Sequence, residues 1–437
     1  MMLNRILFIV LIQLSLSCAC VDAQSYFPPA TPGVWDTISP ARLGWCNERI
    51  DTLYQLLAVN NTKAFILLKD GKIVLEKYFN NHTPSSLWYW ASAGKSLTSF
   101  VVGLAQQDGY LSIDDQTSKY LGTAWTSCTP EQESKIKIRN QLTMTTGLND
   151  AVSEPDCTLS SCLQYKDDAG NRWAYHNAAY TLLDQVVENA TGKTLNQYIN
   201  LRIKTITGMD GQFVKQGYNN VFFSTARSMA RYGLLILNRG TWNQQQILMD
   251  QAYFNNMIST SQNLNLSYGY LWWLNGKSTY MIPQTQFVFR GSLNPNAPAD
   301  MFAALGKNGQ FINVIPSQNM VWIRMGEAPD NSLVPFTFND DIWTLINSLK
   351  CNISSIHESQ NTGSELYVTP NPSSHELYIR GEHEIKNLKY QIFDHLGRKI
   401  SEGSYHNQID ISNLPKGYYS ILVSNMNQTL PFRFVKI

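Results

Sequence analysis

Ser92-Ala93-Gly94-Lys95 sets a serine and a lysine three residues apart at the start of an apolar run. Residues with this spacing share one face of a helix, so we expect the lysine amine beside the serine hydroxyl. A serine needs such a neighbouring base before it can act as a nucleophile. The first turn of a helix also offers free backbone N–H groups, which favour a developing oxyanion. The stretch therefore predicts a helix that begins at Ser92 and carries a nucleophile together with its base.

Histidine, the usual base for a nucleophilic serine, is scarce in the larger part of the chain. Of the seven histidines, only His82 and His176 lie before residue 352. The sequence contains neither a Gly-x-Ser-x-Gly elbow nor a His-Glu-x-x-His motif. The residues therefore favour a lysine-based mechanism over a Ser-His-Asp triad.

Tyr175-His176-Asn177 supplies a second element, directly before a helix that we predict from residue 178 to residue 189. A Tyr-x-Asn loop after a Ser-x-x-Lys helix is the combination found in class C β-lactamases, D,D-peptidases and their esterase relatives. Residues 79–96, 136–148 and 224–233 also resemble that superfamily, in the same order. Over most of residues 40–350, the chain is identified as a member of the serine β-lactamase-like, penicillin-binding-protein-like hydrolase superfamily, which includes 6-aminohexanoate-dimer hydrolases.

This resemblance implies a role for each residue of the two motifs. Ser92 is the expected acyl-accepting nucleophile, and Lys95 and Tyr175 are expected to share the proton transfers. Which of the two is the general base stays open, while Tyr175 is the expected proton donor to the leaving group. Asn177 is expected to orient Lys95 and to contact a substrate amide or carbonyl. Taken singly, Tyr175 and Asn177 also fit a role in loop packing.

The third motif of the superfamily, Lys-Thr-Gly in β-lactamases, is altered in this chain. One register gives Lys307-Asn308-Gly309 as its variant. The register that we prefer, from similarity to the esterase-like and 6-aminohexanoate-dimer-hydrolase-like members, gives Ala304-Leu305-Gly306. No side-chain cation then belongs to the motif, and the backbone N–H of Lys307 joins that of Ser92 in the oxyanion hole.

This difference bears on the substrate, because the lysine of Lys-Thr-Gly helps to bind the carboxylate of penicillins and D-Ala-D-Ala peptides. An ester or a linear amide is therefore the expected substrate. A β-lactamase or D,D-peptidase is the first alternative, and a catalytically inactive surface binding protein is an alternative of another class. Trp88, Tyr89 and Trp90 fit either an apolar wall for an acyl group or core packing.

The apolar pattern predicts an α+β domain. Helical periodicity covers residues 42–59, and two strands at 64–68 and 72–79 flank an Asp70-Gly71 hairpin turn. Further helices are expected at 92–107, 180–189, 226–237 and 340–349, and late strands at 301–314 and 320–325. With the resemblance, this predicts a β-lactamase-like two-lobe fold, in which an antiparallel sheet flanked by helices adjoins a helical lobe.

The composition changes near residue 352, which predicts a polar linker at 352–365 and a small all-β sandwich module at 366–437. Short matches, such as Leu414-Pro415-Lys416-Gly417, make this module resemble the C-terminal sorting domain of type IX secretion cargo in Bacteroidetes-like bacteria. The type IX secretion machinery is then an expected partner, and whether the module is cleaved stays open. The alternative is a carbohydrate-binding or adhesive β-sandwich.

Residues 1–23 predict a secretory signal peptide, because Arg5 precedes an apolar stretch and Val21-Asp22-Ala23 forms a cleavage site. The hydrolase domain is then expected at 24–351, on a secreted or cell-surface protein. No other segment approaches the roughly 18 apolar residues of a membrane span. A net charge of +1 argues against a nucleic-acid partner. The expected ligand is a small-molecule or peptide-like substrate, without a metal or an organic cofactor.

Five cysteines remain after this cleavage, and disulfides are expected in an exported protein. Cys46 and Cys351 lie at the two ends of the main domain, so a bond between them would join those ends. Cys157 and Cys162 could close a small loop, or either could pair with Cys128. One thiol stays free in each case.

Overall fold

The computed structural model describes residues 25–30, 35–351, 366–381, 388–394, 398–425 and 429–437. The expected signal peptide at 1–23 and the expected linker at 352–365 lie outside these residues. The chain divides into two units between Cys351 and Asn352, and each unit is described by itself.

The first unit contains helices and short strands in alternating groups. Its helices are α1 (Asn47–Val59), α2 (Gly94–Gln107), α3 (Ser118–Leu121), α4 (Pro130–Ser134), α5 (Ile138–Leu142), α6 (Asn177–Thr191), α7 (Leu195–Ile199), α8 (Thr205–Thr207), α9 (Ala226–Leu237), α10 (Gln251–Met257) and α11 (Phe336–Asn347). Its strands are β1 (Thr62–Lys69), β2 (Lys72–Tyr78), β3 (Trp88–Tyr89), β4 (Gln212–Gln216), β5 (Asn219–Ser224), β6 (Thr241–Trp242), β7 (Gln245–Gln246), β8 (Trp273–Leu274), β9 (Thr279–Tyr280), β10 (Phe289–Arg290), β11 (Phe302–Gly306), β12 (Gln310–Ile315) and β13 (Met320–Gly326).

A six-stranded antiparallel sheet forms the centre of this unit, in the order β2-β1-β13-β12-β11-β8. Asp70 and Gly71 join β1 to β2 with φ angles of 53° and 78°. Positive φ at both central residues is what a two-residue hairpin turn requires. The hairpin predicted from the Asp-Gly pair is therefore present, and the late strands β11, β12 and β13 fill the middle of the sheet.

Helices cover both faces of the sheet. Val321 and Trp322 of β13 point to opposite faces, because successive residues of a strand alternate. The Trp322 ring meets the Trp343 ring of α11, with centroids 5.8 Å apart. On the other face α9 presents Gly233, where a Cβ atom would lie 2.5 Å from Val321 Cγ1. The absence of a side chain at Gly233 thus lets α9 lie directly on the sheet.

The helical lobe forms from the long insertion between β2 and β8. Its central helix is α6, which packs against α2, α3, α5 and α7. Almost every residue of α2 is buried, because α2 lies between α6 and the strand β11. The start of α2 is thereby held at the boundary between the lobe and the sheet. The predicted α+β two-lobe fold is confirmed.

Several element boundaries differ from the prediction. The helix expected at 42–59 begins later, as α1 at Asn47, and the helix expected from residue 178 or 180 begins earlier, as α6 at Asn177. The α-helix α2 begins at Gly94, and Ser92 lies in the preceding 3-10 turn, Ala91–Ala93. The strand expected at 301–314 is two strands, because the turn Lys307–Gly309 separates β11 from β12. The helix expected at 340–349 begins and ends earlier, as α11.

The two ends of the first unit are joined by the expected disulfide between Cys46 and Cys351. A second disulfide joins Cys157 to Cys162, which is one of the two pairings left open by the sequence. Cys128 is the free cysteine among the described residues.

In its described residues the second unit contains strands and no helix, as predicted for an all-β module. They are β14 (Tyr367–Thr369), β15 (Glu376–Arg380), β16 (Lys389–Phe393), β17 (Lys399–Ser404), β18 (Ile409–Asp410), β19 (Gly417–Ser424) and β20 (Thr429–Lys436). They form a sheet in the order β14-β15-β18 and another in the order β17-β16-β19-β20. Leu377, Ile392, Ile421 and Phe434 belong to the buried core of this unit.

None of the helices in the described part of the chain is long and apolar enough to cross a membrane.

Candidate active site

Ser92 lies in a strained turn at the start of α2. The preceding residue, Ala91, has a φ angle of 46°, a left-handed conformation that is uncommon for a residue with a side chain. Trp90 anchors the turn: its backbone N–H donates to Phe222 O at 2.8 Å, and its ring Nε1 donates to Ser224 Oγ at 2.8 Å. Strain of this kind persists only where the surroundings impose it, and it clusters at functional sites.

Lys95 lies beside Ser92 in the interior of the protein. It is only 3% exposed, and its Nζ donates a hydrogen bond to Ser92 Oγ at 3.1 Å. The same amine lies 3.8 Å from the centroid of the Tyr180 ring. Burial lowers the pKa of Lys95 to about 7, although the charges of Asp156 and Asp184 act in the opposite direction. A substantial share of the amine is therefore neutral near pH 7 and able to accept a proton.

Tyr175 reaches the same serine from the loop before α6. Its ring stacks on Trp273 at a centroid distance of 5.8 Å and lies 5.1 Å from Lys95 Nζ. Burial raises the pKa of Tyr175 above its ordinary value, and a hydrogen bond with Ser92 only partly offsets this. Tyr175 is therefore a neutral phenol that can donate a proton.

Asn177 begins α6 and contacts a carboxylate. Its Nδ2 donates to Asp156 Oδ1 at 2.8 Å, and Asn219 Nδ2 donates to the other oxygen of Asp156 at 2.9 Å. In the described part of the chain, the side chain of Asn177 is thus bonded to Asp156 and not to Lys95. The Oδ1 atom of Asn177 is buried without a hydrogen-bond partner among these residues.

Gly306 ends β11 against the backbone of the Ser92 turn. A Cβ atom at this position would lie 2.8 Å from Trp90 O, 2.9 Å from Ala93 N and 3.1 Å from Ser92 N. Only a glycine allows this approach, because the atoms in the way belong to the backbone. The next residue, Lys307, begins the turn that follows β11 and has an exposed side chain.

Two buried polar side chains hold the turn Lys307–Gly309 in place. Arg324 is fully buried, and its Nη1 donates to Asn308 O at 2.9 Å and to Gly309 O at 2.7 Å. Gln310 Nε2 donates to Gly326 O at 2.6 Å, and its Oε1 accepts from Gly326 N at 3.0 Å. The turn is therefore fixed to β13 on the side away from Ser92.

A cavity of about 330 Å³ opens beside Ser92, and its wall is about equally polar and apolar. The polar residues that line it include Asp156, Asn177, Gln216, Asn219, Asn220 and Lys307. For residues 88–90 the sequence left two roles open, a wall of the cavity or packing in the core, and the structure shows one of each. Tyr89 lines the cavity, whereas Trp90 is fully buried in the core, and Trp88 Nε1 donates to Gly326 O at 3.2 Å.

The sequence-predicted residues come together around Ser92 and this cavity from separate elements, although Tyr175 and Gly306 do not line the cavity itself. Ser92 and Lys95 come from the start of α2, and Tyr175 comes from the loop before α6. Gly306 lies against the turn that holds Ser92, and Lys307 lines the cavity together with Asn177.

Sequence reasoning missed the two carboxylates that act on Lys95. Asp156 directly precedes the disulfide-closed loop 157–162, which gave no chemical signal. Asp184 lies on α6 and is 7% exposed. It shares the helical spacing of the buried residues Tyr180, Leu183 and Val187, so an acidic residue on an apolar helix face was the available signal.

Two family models match the chain. The model of the beta-lactamase family matches residues 61–331, and the model of the secretion system C-terminal sorting domain matches residues 367–436. The first match spans more than half of the chain and contains Ser92, Lys95, Tyr175 and Gly306.

Curated relatives show the same likeness at low identity. An uncharacterised protein of Alkalihalophilus pseudofirmus is 24% identical over 309 residues, which is 62% of this chain and 84% of that protein. The protein flp of Staphylococcus aureus is 22% identical over 156 residues, which is 31% of each chain.

Solved structures with the same fold extend this likeness. A "putative 6-aminohexanoate-dimer hydrolase" from Bacillus anthracis has a TM-score of 0.55 at 18% identity and covers 74% of this chain and 91% of its own. A penicillin-binding protein homologue from Caulobacter crescentus has a TM-score of 0.54 at 13% identity and covers 70% of this chain and 98% of its own.

Proposed function

The chain belongs to the beta-lactamase family, and on this premise we propose that it is a secreted serine hydrolase that cleaves an ester or a linear amide through an acyl-enzyme at Ser92. The observation that carries this proposal is the buried Lys95 amine, 3.1 Å from Ser92 Oγ. A hydroxyl group becomes nucleophilic when a base beside it can take its proton.

The first step assigns the base to Lys95. Burial lowers the pKa of Lys95 to about 7 and raises the pKa of Tyr175. Near pH 7 a neutral amine is therefore present to accept a proton, whereas the phenolate of Tyr175 is not. Lys95 Nζ takes the proton of Ser92 Oγ while the oxygen bonds to the substrate carbonyl carbon. The negative charge moves to the carbonyl oxygen of the tetrahedral intermediate.

The oxyanion needs donors at the place where its charge develops. The backbone N–H groups of Ser92 and Lys307 are proposed for this role. The close contact of Gly306 with Ser92 N brings the end of β11 to the nucleophile and supports their pairing.

The second step breaks the bond to the leaving group. Tyr175, a neutral phenol hydrogen-bonded to Ser92, donates its proton to the leaving oxygen or nitrogen and regains one from Lys95. Water then attacks the acyl-enzyme, gives up its proton to the same pair, and releases Ser92. Asn177 lines the cavity, and its side chain is proposed to contact an amide or carbonyl group of the substrate.

The end of β11 favours an ester or a linear amide over a β-lactam or a D,D-peptide. In the register that brings Gly306 to Ser92, the position of the Lys-Thr-Gly lysine is held by Ala304, which is buried and neutral. The carboxylate shared by penicillins and D-Ala-D-Ala peptides therefore lacks its usual cation on this strand.

A fluorophosphonate probe tests the nucleophile. We expect the full-length protein to be labelled covalently and the Ser92→Ala variant to stay unlabelled. Ser96→Ala is the matched control: its hydroxyl lies on the same helix but donates to Ala93 O at 2.7 Å, so labelling should persist. Labelling that survives in Ser92→Ala contradicts the assignment of the nucleophile.

A comparison of substrates tests the class. We expect a short-chain aryl ester to be hydrolysed with a higher kcat/KM than nitrocefin, and both activities to be lost in Ser92→Ala. Faster turnover of nitrocefin would instead favour a β-lactamase.

A further inference from the structure

Asp184 is a buried acidic side chain for which the steps above have no use. It is 7% exposed and lies on α6, one helical turn beyond Tyr180 and two turns beyond Asn177. An ionised carboxylate is rarely buried unless it is paired or hydrogen-bonded. The position of Asp184 beneath the proposed site therefore calls for a physical reason.

Two elements besides α6 present polar groups to this carboxylate. From β5, Asn220 Nδ2 donates to Asp184 Oδ2 at 2.9 Å. From α2, Thr98 Oγ1 donates to Asp184 Oδ1 at 3.5 Å. Thr98 follows Lys95 by three residues, so both side chains lie on the same face of α2. The Asp184 carboxylate is thus held against the face of α2 that also carries Lys95.

The charged groups around Asp184 divide by sign. Burial and the charge of Glu188 on the same helix raise the pKa of Asp184, whereas the hydrogen bonds from Asn220 and Thr98 and the charge of Lys95 on α2 lower it; together they place this pKa at about 7. Tyr180, between Asp184 and the amine, keeps its proton because burial raises its pKa well above the usual value. Asp156 faces Lys95 from the cavity side and also raises the pKa of the amine.

We propose that Asp184 is a positioning residue of the Ser92 reaction, in which its buried carboxylate compensates the positive charge that Lys95 acquires on taking the Ser92 proton. This inference rests on the proposed function. The protonated amine is otherwise a cation in a site that excludes water, and such a cation is costly without a counter-ion. Asn220 lines the cavity and bonds to Asp184, so it fixes the carboxylate relative to the bound substrate.

The neighbouring residues Asn219 and Asn220 support this arrangement. Their side chains leave β5 in opposite directions, as successive residues of a strand do. Asn219 holds Asp156 at 2.9 Å, and Asn220 holds Asp184 at 2.9 Å. One short strand thus holds both of the carboxylates whose charges act on Lys95.

The rate of fluorophosphonate labelling of the full-length protein, measured from pH 5 to pH 9, tests the inference. In the wild type this rate should rise through about pH 7, as Lys95 loses its proton. Asp184→Asn keeps an acceptor for Asn220 but removes the charge that raises the pKa of Lys95. In this variant we expect the midpoint of the rise in labelling rate to move to lower pH by about one unit. The labelling rate on the plateau at high pH should fall about tenfold or less.

Glu188→Gln is the matched control, because it removes one negative charge from the same helix. Glu188 raises the pKa of Asp184, so its loss leaves Asp184 more fully charged and should not move the rise to lower pH. Asn220→Ala is a second variant in case Asp184→Asn does not fold. It removes a hydrogen bond that favours the charged carboxylate and should move the rise in the same direction as Asp184→Asn.

The outcomes separate the two proposals. A downward movement in Asp184→Asn or Asn220→Ala, but not in Glu188→Gln, supports the inference. If the midpoint of the rise stays at the same pH and only the plateau rate falls, the inference is overturned, because that result signifies a merely structural role. An equal downward movement in Glu188→Gln also overturns it. A wild-type protein that the probe does not label contradicts the proposed function instead.

Discussion

Burial of the Lys95 amine favours its proposed role as a base but lowers the stability of the folded protein. As a base the amine must be neutral near pH 7, and its burial against Tyr180 favours the neutral form. The same burial opposes folding at low pH, because the unfolded chain binds a proton at this position more strongly. The pKa of Lys95 is about 7 in the folded protein and 10.5 for a free lysine. The cost to stability is therefore complete below pH 7 and shrinks as the pH rises towards 10.5.

Substitution of Lys95 by methionine makes this cost measurable. Lys95→Met keeps the length of the side chain and removes its charge, so labelling by the fluorophosphonate probe should be abolished. The free energy of unfolding should rise, by on the order of 5 kcal/mol at pH 6 and by about 2 kcal/mol at pH 9. Urea denaturation of both proteins at the two pH values checks this. A gain that does not depend on pH would contradict the charge argument.

The substitution Gly306→Ala tests the geometry of the proposed oxyanion hole. In Gly306→Ala the added Cβ would lie within 3.1 Å of three backbone atoms of the Ser92 turn, so β11 must move away from Ser92. We expect the labelling rate to fall by about 100-fold or more, as it does when one oxyanion donor is lost. Stopped-flow or gel-based labelling at pH 8 measures the change.

Gly94→Ala is the matched control for Gly306→Ala. Gly94 lies between Ser92 and Lys95, but a Cβ there would make only ordinary contacts, the nearest at 3.6 Å to Phe222 Cβ. Its φ of −63° is helical, so alanine should be tolerated and should stabilise α2 slightly. A loss of labelling in both variants would show that crowding anywhere in the turn, and not the approach of β11, is what matters.

At the scale of single residues, the sequence predicted most of the residues proposed for the reaction, but not the charged residues that shift the pKa of Lys95. Ser92, Lys95 and Tyr175 belong to recognisable motifs, and the structure brings them together. Asp156 and Asp184 belong to none, and their effect on Lys95 depends on distances between α2, α6 and a loop. Only tertiary packing sets such distances. The spacing of Asp184 with the buried face of α6 was a usable signal, but it could not identify Lys95 as the partner.

At the scale of elements, the turn Lys307–Gly309 decides how β11 meets the nucleophile. The sequence predicted one strand across this turn, because apolar residues continue on both sides of it. The turn exists because Asn308 and Gly309 adopt positive φ angles of 62° and 75° and because Arg324 binds their carbonyl groups. Arg324 lies on β13, and pairing of β13 with β12 is a long-range feature that local patterns do not encode.

Arg324→Lys tests this support. A lysine cannot reproduce the planar set of donors, so several buried carbonyl groups lose their partners at about 1–3 kcal/mol each. We expect the free energy of unfolding to fall by roughly 3 kcal/mol and the labelling rate to fall about tenfold, because the turn that carries Lys307 N loosens. Urea denaturation and probe labelling measure the two effects.

Arg139→Lys provides the comparison for Arg324→Lys. Arg139 pairs with Asp114 near the surface, where the side chains are 38% and 57% exposed. The same substitution there should change the free energy of unfolding by less than about 1 kcal/mol and leave labelling unchanged. If Arg324→Lys were equally harmless, the hydrogen bonds of Arg324 would not be what fixes the turn.

At the scale of the whole molecule, the division into two units follows the change of composition near residue 352. The match of residues 367–436 to a secretion sorting domain assigns the second unit to export. The described residues that line the Ser92 cavity belong to the first unit. The sequence predicts a linker there, because a long polar stretch between two apolar patterns is typical of a segment that joins two domains.

The two disulfides close loops of very different length, which leads to a prediction for the first unit. The bond between Cys46 and Cys351 spans 305 residues, and the bond between Cys157 and Cys162 spans 5. Because the unfolded chain loses more freedom when a longer loop is closed, removing the first bond by Cys46→Ser with Cys351→Ser should lower the free energy of unfolding by about 4–5 kcal/mol. Cys157→Ser with Cys162→Ser, the matched pair, should lower it by about 2 kcal/mol. Urea denaturation of both variants decides the order, and an equal loss would mean that native contacts near each bond outweigh chain entropy.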